Sequence, residues 1–220
     1  MTGTPYRGVM SLDAPRMSRA ELRDEPGRRP VLRSEVVYDG AVWDVRRDRV
    51  DLGEGGVVAR DWVEHTGAVA VLAVREDRGE AEILVVRQYR HPVGAEDWEL
   101  PAGLCDVPGE APVVTAAREL AEEADLVAST WEQLLTFTPS PGSLGEVITV
   151  LVATDLSDVP EHERHARAHE EAGMPTAWVG LSDAVAAVLA GQVRNGPLLI
   201  GVLSLAARRA AAPGGQLTAG

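Results

Sequence analysis

A chain of 220 residues with a single cysteine and a formal charge of −13 is long enough for one substantial domain, and it excludes an intramolecular disulfide or a cysteine metal cluster. Lys plus Arg total 21 against 34 Asp plus Glu, an acidic balance that argues against a nucleic-acid partner. The longest apolar runs, such as Ala68 to Val74, are far too short to span a bilayer, and the first residues lack a basic stretch followed by an apolar core, so the expectation is a cytoplasmic protein with no membrane partner and no signal peptide.

Residues 1–30, rich in Pro, Gly, Arg and Asp without a sustained apolar period, read as a mobile arm. Runs at 34–38, 42–52 and 57–65 alternate apolar and polar residues, as half-buried antiparallel strands do. The turn Gly53-Glu54-Gly55-Gly56 joins the last two into a hairpin, so the three are expected to form a separate small sheet, a domain at 31–66. Ala68 to Val74 and Ile83 to Gln88 are continuous apolar runs, suited to strands buried on both faces. From 111 to 124 the residues favour helix, and Pro112 fits the first turn, where its missing N–H is harmless. Strands are expected again at 131–138, 146–154 and 176–179. Helices follow at 182–189, ended by Gly191, and at 197–210; residues 210–220 read as a flexible tail. Strands and helices mix without strict alternation. The expected fold class is α+β: a mixed sheet in an α/β/α sandwich over 67–209, plus the small N-terminal antiparallel sheet.

The strongest chemical signal lies in the first of these helices. In Arg118-Glu119-Leu120-Ala121-Glu122-Glu123 the glutamates stand at i, i+3 and i+4, on one helix face. Like charges at that spacing repel by roughly a few tenths of a kcal/mol. A divalent cation turns this repulsion into attraction. Mg²⁺ or Mn²⁺ prefers carboxylate oxygen and shares its other positions with water and phosphate. Three glutamates alone are more simply a solvated acidic face; the surroundings argue otherwise.

Upstream stand Leu100-Pro101-Ala102-Gly103, a loop, and Glu110. A glycine, a spaced glutamate and an Arg-Glu-apolar-any-Glu-Glu run resemble the Nudix box. Two departures stand out. The six residues 104–109 between Gly103 and Glu110 are one more than the pattern has, and Asp125 replaces the closing glycine. Asp tolerates the left-handed backbone such a helix end asks for. The resemblance implies a metal-dependent pyrophosphate hydrolase with two or three Mg²⁺ ions, Mn²⁺ being the alternative. It implies Glu119 and Glu123 as metal ligands, Glu122 as a further or shared ligand, and the backbone carbonyl of Ala102 as the non-carboxylate ligand. Arg118 would keep the glutamates in register by ion pairing, and Glu110 would orient groups near the helix start.

Val86-Arg87-Gln88-Tyr89-Arg90-His91-Pro92-Val93-Gly94, then Trp98 to Gly103, and Pro141 beyond the box, are similar to ADP-ribose pyrophosphatases of the actinobacterial type. The similarity covers 36–206. It implies ADP-ribose as substrate, AMP and ribose 5-phosphate as products, and a domain-swapped homodimer. A guanidinium matches phosphate geometry, so Arg90, then Arg87 and Arg60, are candidate diphosphate contacts, with solvated strand-end arginines as the plain alternative. Trp43 and Trp62 are candidates for the adenine, against ordinary core packing; Trp98 reads as core. The resemblance also implies a general base on a loop before the last strand, here 161–174 between Pro160 and Pro175. Glu170 is the expected base, with Glu171 as its alternative. His162, His165 and His169 are spaced too irregularly for a zinc site. Glu146, after the Pro141 turn, is expected to face the metals and substrate. Two other readings stay open: hydrolysis of another nucleoside diphosphate sugar or an oxidised nucleotide, and an ADP-ribose sensor without catalysis. Sensors lose box carboxylates, and here all are present.

Overall fold

Residue 12 and residues 14–167 and 173–212 are described by a computed structural model. The first three strands, β1 (Val31–Tyr38), β2 (Val45–Asp51) and β3 (Val57–Val63), form a three-stranded sheet in chain order. The glycine-rich link between β2 and β3 is one 3-10 turn, Gly53–Gly55. Its exit, Gly56 at φ 74°, lies in a region that side chains disfavour.

A second sheet has seven strands: β4 (Ala68–Asp77), β5 (Glu80–Arg90), β6 (Ala95–Glu99), β7 (Ala102–Leu104), β8 (Leu126–Phe137), β9 (Ile148–Asp158) and β10 (Thr176–Gly180). Its order is β10-β5-β4-β9-β8, with β6 also paired to β5 and β7 to β4. β4 and β9 run parallel and the other pairs antiparallel, so the sheet is mixed. Helix α1 (Pro112–Ala124) intervenes between β7 and β8; α2 (Leu181–Leu189) and α3 (Gly196–Ala211) close the chain.

The alternation of β4 builds the sandwich. Side chains of a strand point to opposite faces in turn. Ala68, Ala70, Leu72 and Val74 enter one apolar cluster with Leu181 and Ala184 of α2 and Leu198, Val202 and Leu205 of α3. Val69, Val71 and Ala73 enter another, with Ala116 and Leu120 of α1. Both faces are covered, which is why this run carries no polar residue until Arg75.

By Cα proximity the chain forms two units, Met1–Ser34 with Asp48–Arg60, and Glu35–Arg47 with Asp61–Gly220. Among the described residues no helix is long and apolar enough to cross a membrane. Pattern reading passes over β6 and β7. The first, Ala-Glu-Asp-Trp-Glu, has no apolar alternation, and the second is three residues long; pairing with β5 and β4 makes them strands. β8 starts five residues before its expected start at Trp131, immediately after the left-handed Asp125.

Candidate active site

The acidic helix meets the sheet through β7. Helix α1 opens with Pro112 in its first turn and ends on Asp125 at φ 54° and ψ 33°, whose N–H returns to the carbonyls of Ala121 and Leu120. This is the left-handed end expected where the box lacks its glycine. Ala116 and Leu120, both fully buried, seat one side of the helix on the core. Glu119 and Glu123 lie one turn apart and are themselves 9% and 5% exposed.

Each buried carboxylate has a built receptor. Glu123 Oε2 accepts the backbone N–H of Ala102 at 2.9 Å. Glu119 lies against Gly103, where any Cβ would fall 2.1 Å from its Cδ. Any side chain at this position would displace the Glu119 carboxylate. Arg118 Nη1 donates to Glu119 Oε1 at 2.7 Å. The same guanidinium stands 3.8 Å from Glu122, 3.8 Å from Glu110 and 3.7 Å from Asp106. Glu110 is held in turn by the Thr115 hydroxyl at 2.7 Å. Burial pulls the pKa of Arg118 down, but Glu119, Glu122, Glu110 and Asp106 together outweigh it and raise the value, so the guanidinium stays charged.

Four carboxylates thus surround one guanidinium, with Glu123 a turn away, and the local charge is strongly negative. As they stand, no three His, Cys, Asp or Glu side chains among the described residues converge into a ready ligand cluster. The donor set is nevertheless all oxygen and anionic, the chemistry that suits a hard divalent cation. The single positive charge of Arg118 faces four negative ones, its Nη2 lying near Asp106 and Glu110 without a hydrogen bond. The residues fit a hard divalent cation.

Arg90, at the end of β5, forks onto Glu99 of β6, its Nε at 2.9 Å and Nη2 at 2.7 Å. Glu99 is only 4% exposed in its side chain, against 44% for Arg90. This hydrogen-bonded partner raises the pKa of Arg90, and Glu123 contributes to the same field. Arg87 pairs with Glu96 at 2.9 Å and lies over the ring of Trp98. Trp98 packs against the core, as expected. Arg60 bonds the carbonyl of neighbouring Ala59.

Trp43 stacks on His65, with ring centroids 4.1 Å apart and planes inclined by 16°. Trp62 lies against Gly145, where a Cβ would come within 2.8 Å of its ring. Glu146 faces His65 Nε2 at 3.3 Å. Glu170, Glu171 and His169 lie outside the described residues. Just before them, Arg167 donates to the carbonyl of Glu122 at 2.8 Å and pairs with Asp125 at 2.7 Å. Arg167 therefore ties the described chain to the end of the acidic helix.

Sequence reasoning passed over Glu99, Arg167 and His65. Glu99 sits within the Trp98 to Gly103 stretch already singled out, and an acidic residue between the apolar Trp98 and Leu100 was the available signal. Arg167 and His65 carry no motif; only the fold brings them to their partners.

An acidic helix whose carboxylates seat on a glycine and a strand amide, at one end of a sandwiched mixed sheet, defines a class. Residues 64–199 match the family described as the NUDIX domain, and the chain belongs to that family as a Nudix hydrolase. A relative from Mycobacterium tuberculosis (strain ATCC 25618 / H37Rv), named ADP-ribose pyrophosphatase, is 46% identical over 172 residues, 78% of this chain and 80% of that protein. One from Bacillus methanolicus, named Methanol dehydrogenase activator, is 40% identical over 126 residues, 57% of this chain and 66% of that one. The crystal structure of an ADP compounds hydrolase shares the fold, with a TM-score of 0.68 at 19% identity, covering 88% of this chain and 100% of the other.

Proposed function

We propose that this Nudix hydrolase cleaves the pyrophosphate of ADP-ribose with water, giving AMP and ribose 5-phosphate, and that it requires Mg²⁺ or Mn²⁺. The observation that carries the reading is the pair of buried carboxylates, Glu119 and Glu123, seated on Gly103 and Ala102 in a chain 46% identical to an ADP-ribose pyrophosphatase.

Glu119, Glu122, Glu123 and the Ala102 carbonyl would hold two or three ions. When bound, these supply Lewis acidity at the diphosphate and make a water easier to deprotonate. Arg118 keeps Glu119 and Glu122 from turning away from one another. Glu170, or Glu171 beside it, takes the proton from the attacking water. Arg90 spends Nε and Nη2 on Glu99, which locks its plane and leaves Nη1 for a phosphate oxygen. Arg87 and Arg60 are further diphosphate contacts in this reading. Trp43 and Trp62 offer flat surface to the adenine, and Glu146 takes a polar group of the substrate.

Residues 31–66 are proposed as the part through which two chains dimerise and exchange base contacts. The exposed Val31, Leu32, Val36, Val37 and Tyr38 of β1 support this. A cytoplasmic setting fits a chain with one cysteine.

The test is ³¹P NMR of purified protein with ADP-ribose, ADP-glucose and an oxidised nucleoside triphosphate, each with Mg²⁺ and after exhaustive EDTA. AMP and ribose 5-phosphate should form fastest from ADP-ribose and not at all under EDTA. Faster turnover of another substrate reassigns specificity, and turnover that survives chelation removes the metal.

A further inference from the structure

His65 is a buried titratable group that the reaction above does not use. It stands between β3 and β4, and its side chain is only 6% exposed. Two groups confine its ring. The backbone N–H of Gly67 donates to Nδ1 at 2.9 Å, and Glu146 Oε1 faces Nε2 at 3.3 Å. An amide N–H can only donate, so Nδ1 presents its lone pair; a carboxylate can only accept, so the ring proton belongs on Nε2. One neutral tautomer satisfies both neighbours. Trp43 stacked on the ring restricts its rotation.

The backbone holds both partners. Val63 N donates to the Ser143 carbonyl at 2.8 Å, Gly145 N to the Val63 carbonyl at 3.0 Å, and Ala68 N to the Val147 carbonyl at 3.0 Å. Glu146 thus leaves its turn from a stretch pinned on either side to the chain that carries His65. The pair also lies at the carboxylate end of the sheet. Val69 is opposite Gly103, the seat of Glu119, and the carbonyl of Gly67 accepts from Cys105 N at 3.1 Å. Gly67 is therefore two residues, about 7 Å, along the chain from Val69, the residue opposite that seat.

We propose that His65 is a positioning residue for the hydrolysis. Its Nε2–H holds Oε1 of Glu146, so that the carboxylate keeps one orientation with Oε2 left for the substrate. This rests on the reading of Glu146 as a substrate contact. A neutral donor suits the task, because it orients the anion without cancelling the charge that a polar hydroxyl of the substrate would meet.

The side chains that imitate half an imidazole separate this role from simple packing. In His65→Asn the amide oxygen reaches the place of Nδ1 and keeps the Gly67 N–H satisfied, but no donor reaches Glu146. In His65→Gln the amide nitrogen reaches the place of Nε2 and restores that donor. With full-length protein, ADP-ribose and Mg²⁺, His65→Asn should lower kcat/KM about 10- to 100-fold, and His65→Gln should recover most of it. In a Glu146→Gln background His65→Asn should add almost no further loss, because the two act as one unit. Wild-type turnover by His65→Asn, or losses that multiply in the double variant, would overturn the proposal. The ring itself is read without substrate by ¹⁵N NMR of the wild-type protein: Nδ1 should be unprotonated and Nε2 protonated, and the opposite tautomer or a charged ring at neutral pH rejects the proposal even if both variants unfold. Should the protein prefer another nucleoside diphosphate sugar, ADP-ribose falls as substrate and the same variant comparison is run on the sugar nucleotide it cuts.

Discussion

Gly103 and Glu119 show how little freedom this site leaves a single atom. A methyl group at Gly103 would sit 2.1 Å from the Glu119 carboxyl carbon, far inside contact distance, so the buried carboxylate would have to move. Gly103→Ala should therefore destabilise the fold by about 1–3 kcal/mol and abolish most turnover, since Glu119 must leave its seat. Urea melts together with ADP-ribose turnover check both; an active, equally stable variant would mean the contact is not needed. Glu123→Gln asks a different question, because the glutamine oxygen still accepts the Ala102 N–H and only the charge is lost. Groups that merely orient a metal ligand are worth about 10- to 100-fold, so removing the charge of a ligand should lower kcat by more than a hundredfold with the melting temperature little changed. Near-normal kcat would remove Glu123 from the ligand set.

At the scale of elements, α1 works as a two-sided strip. Leu120 is fully buried among Val69, Val71, Leu126 and Leu151, while the adjacent Glu119 and the Glu123 one turn on meet β7 at Gly103 and Ala102. The same burial that stabilises the helix fixes where its carboxylates emerge. Leu120→Ala should cost about 2–5 kcal/mol, measured by chemical denaturation. It should also lower Mg²⁺-dependent turnover more than a substitution of equal cost remote from α1, such as Leu205→Ala on α3. If the two variants lose activity in proportion to stability alone, the helix is not the element that sets the carboxylates. Arg167 adds to the ordering of this helix end, bonding the Glu122 carbonyl and Asp125 together.

At the scale of the whole molecule, one edge strand keeps an apolar surface. β1 leaves Val31, Leu32, Val36, Val37 and Tyr38 exposed, an unusual run of apolar surface for a strand at a sheet edge. Sedimentation velocity should show a dimer, and replacing Val36 and Tyr38, which share one face of the strand, by Asp should yield monomers. A wild-type monomer at every concentration tested would separate hydrolysis from assembly.

Local chemistry made part of this legible before any fold. The spacing of Glu119, Glu122 and Glu123, the glycine before them and the apolar runs at β4 and β5 are one-dimensional patterns, because helix and strand periods are properties of the backbone alone. The mixed sheet, the separate three-stranded sheet, the left-handed Asp125 and the core position of Trp98 all followed from such patterns. Tertiary structure alone decided which partners these residues meet. That Arg90 grips Glu99, that one guanidinium serves four carboxylates, that Arg167 returns to the end of α1 and that His65 faces Glu146 all depend on strands and helices far apart in sequence lying side by side. Side-chain pairing across such separations has no period for a sequence to display; it exists only once burial of the two apolar faces has fixed the sheet between its helices.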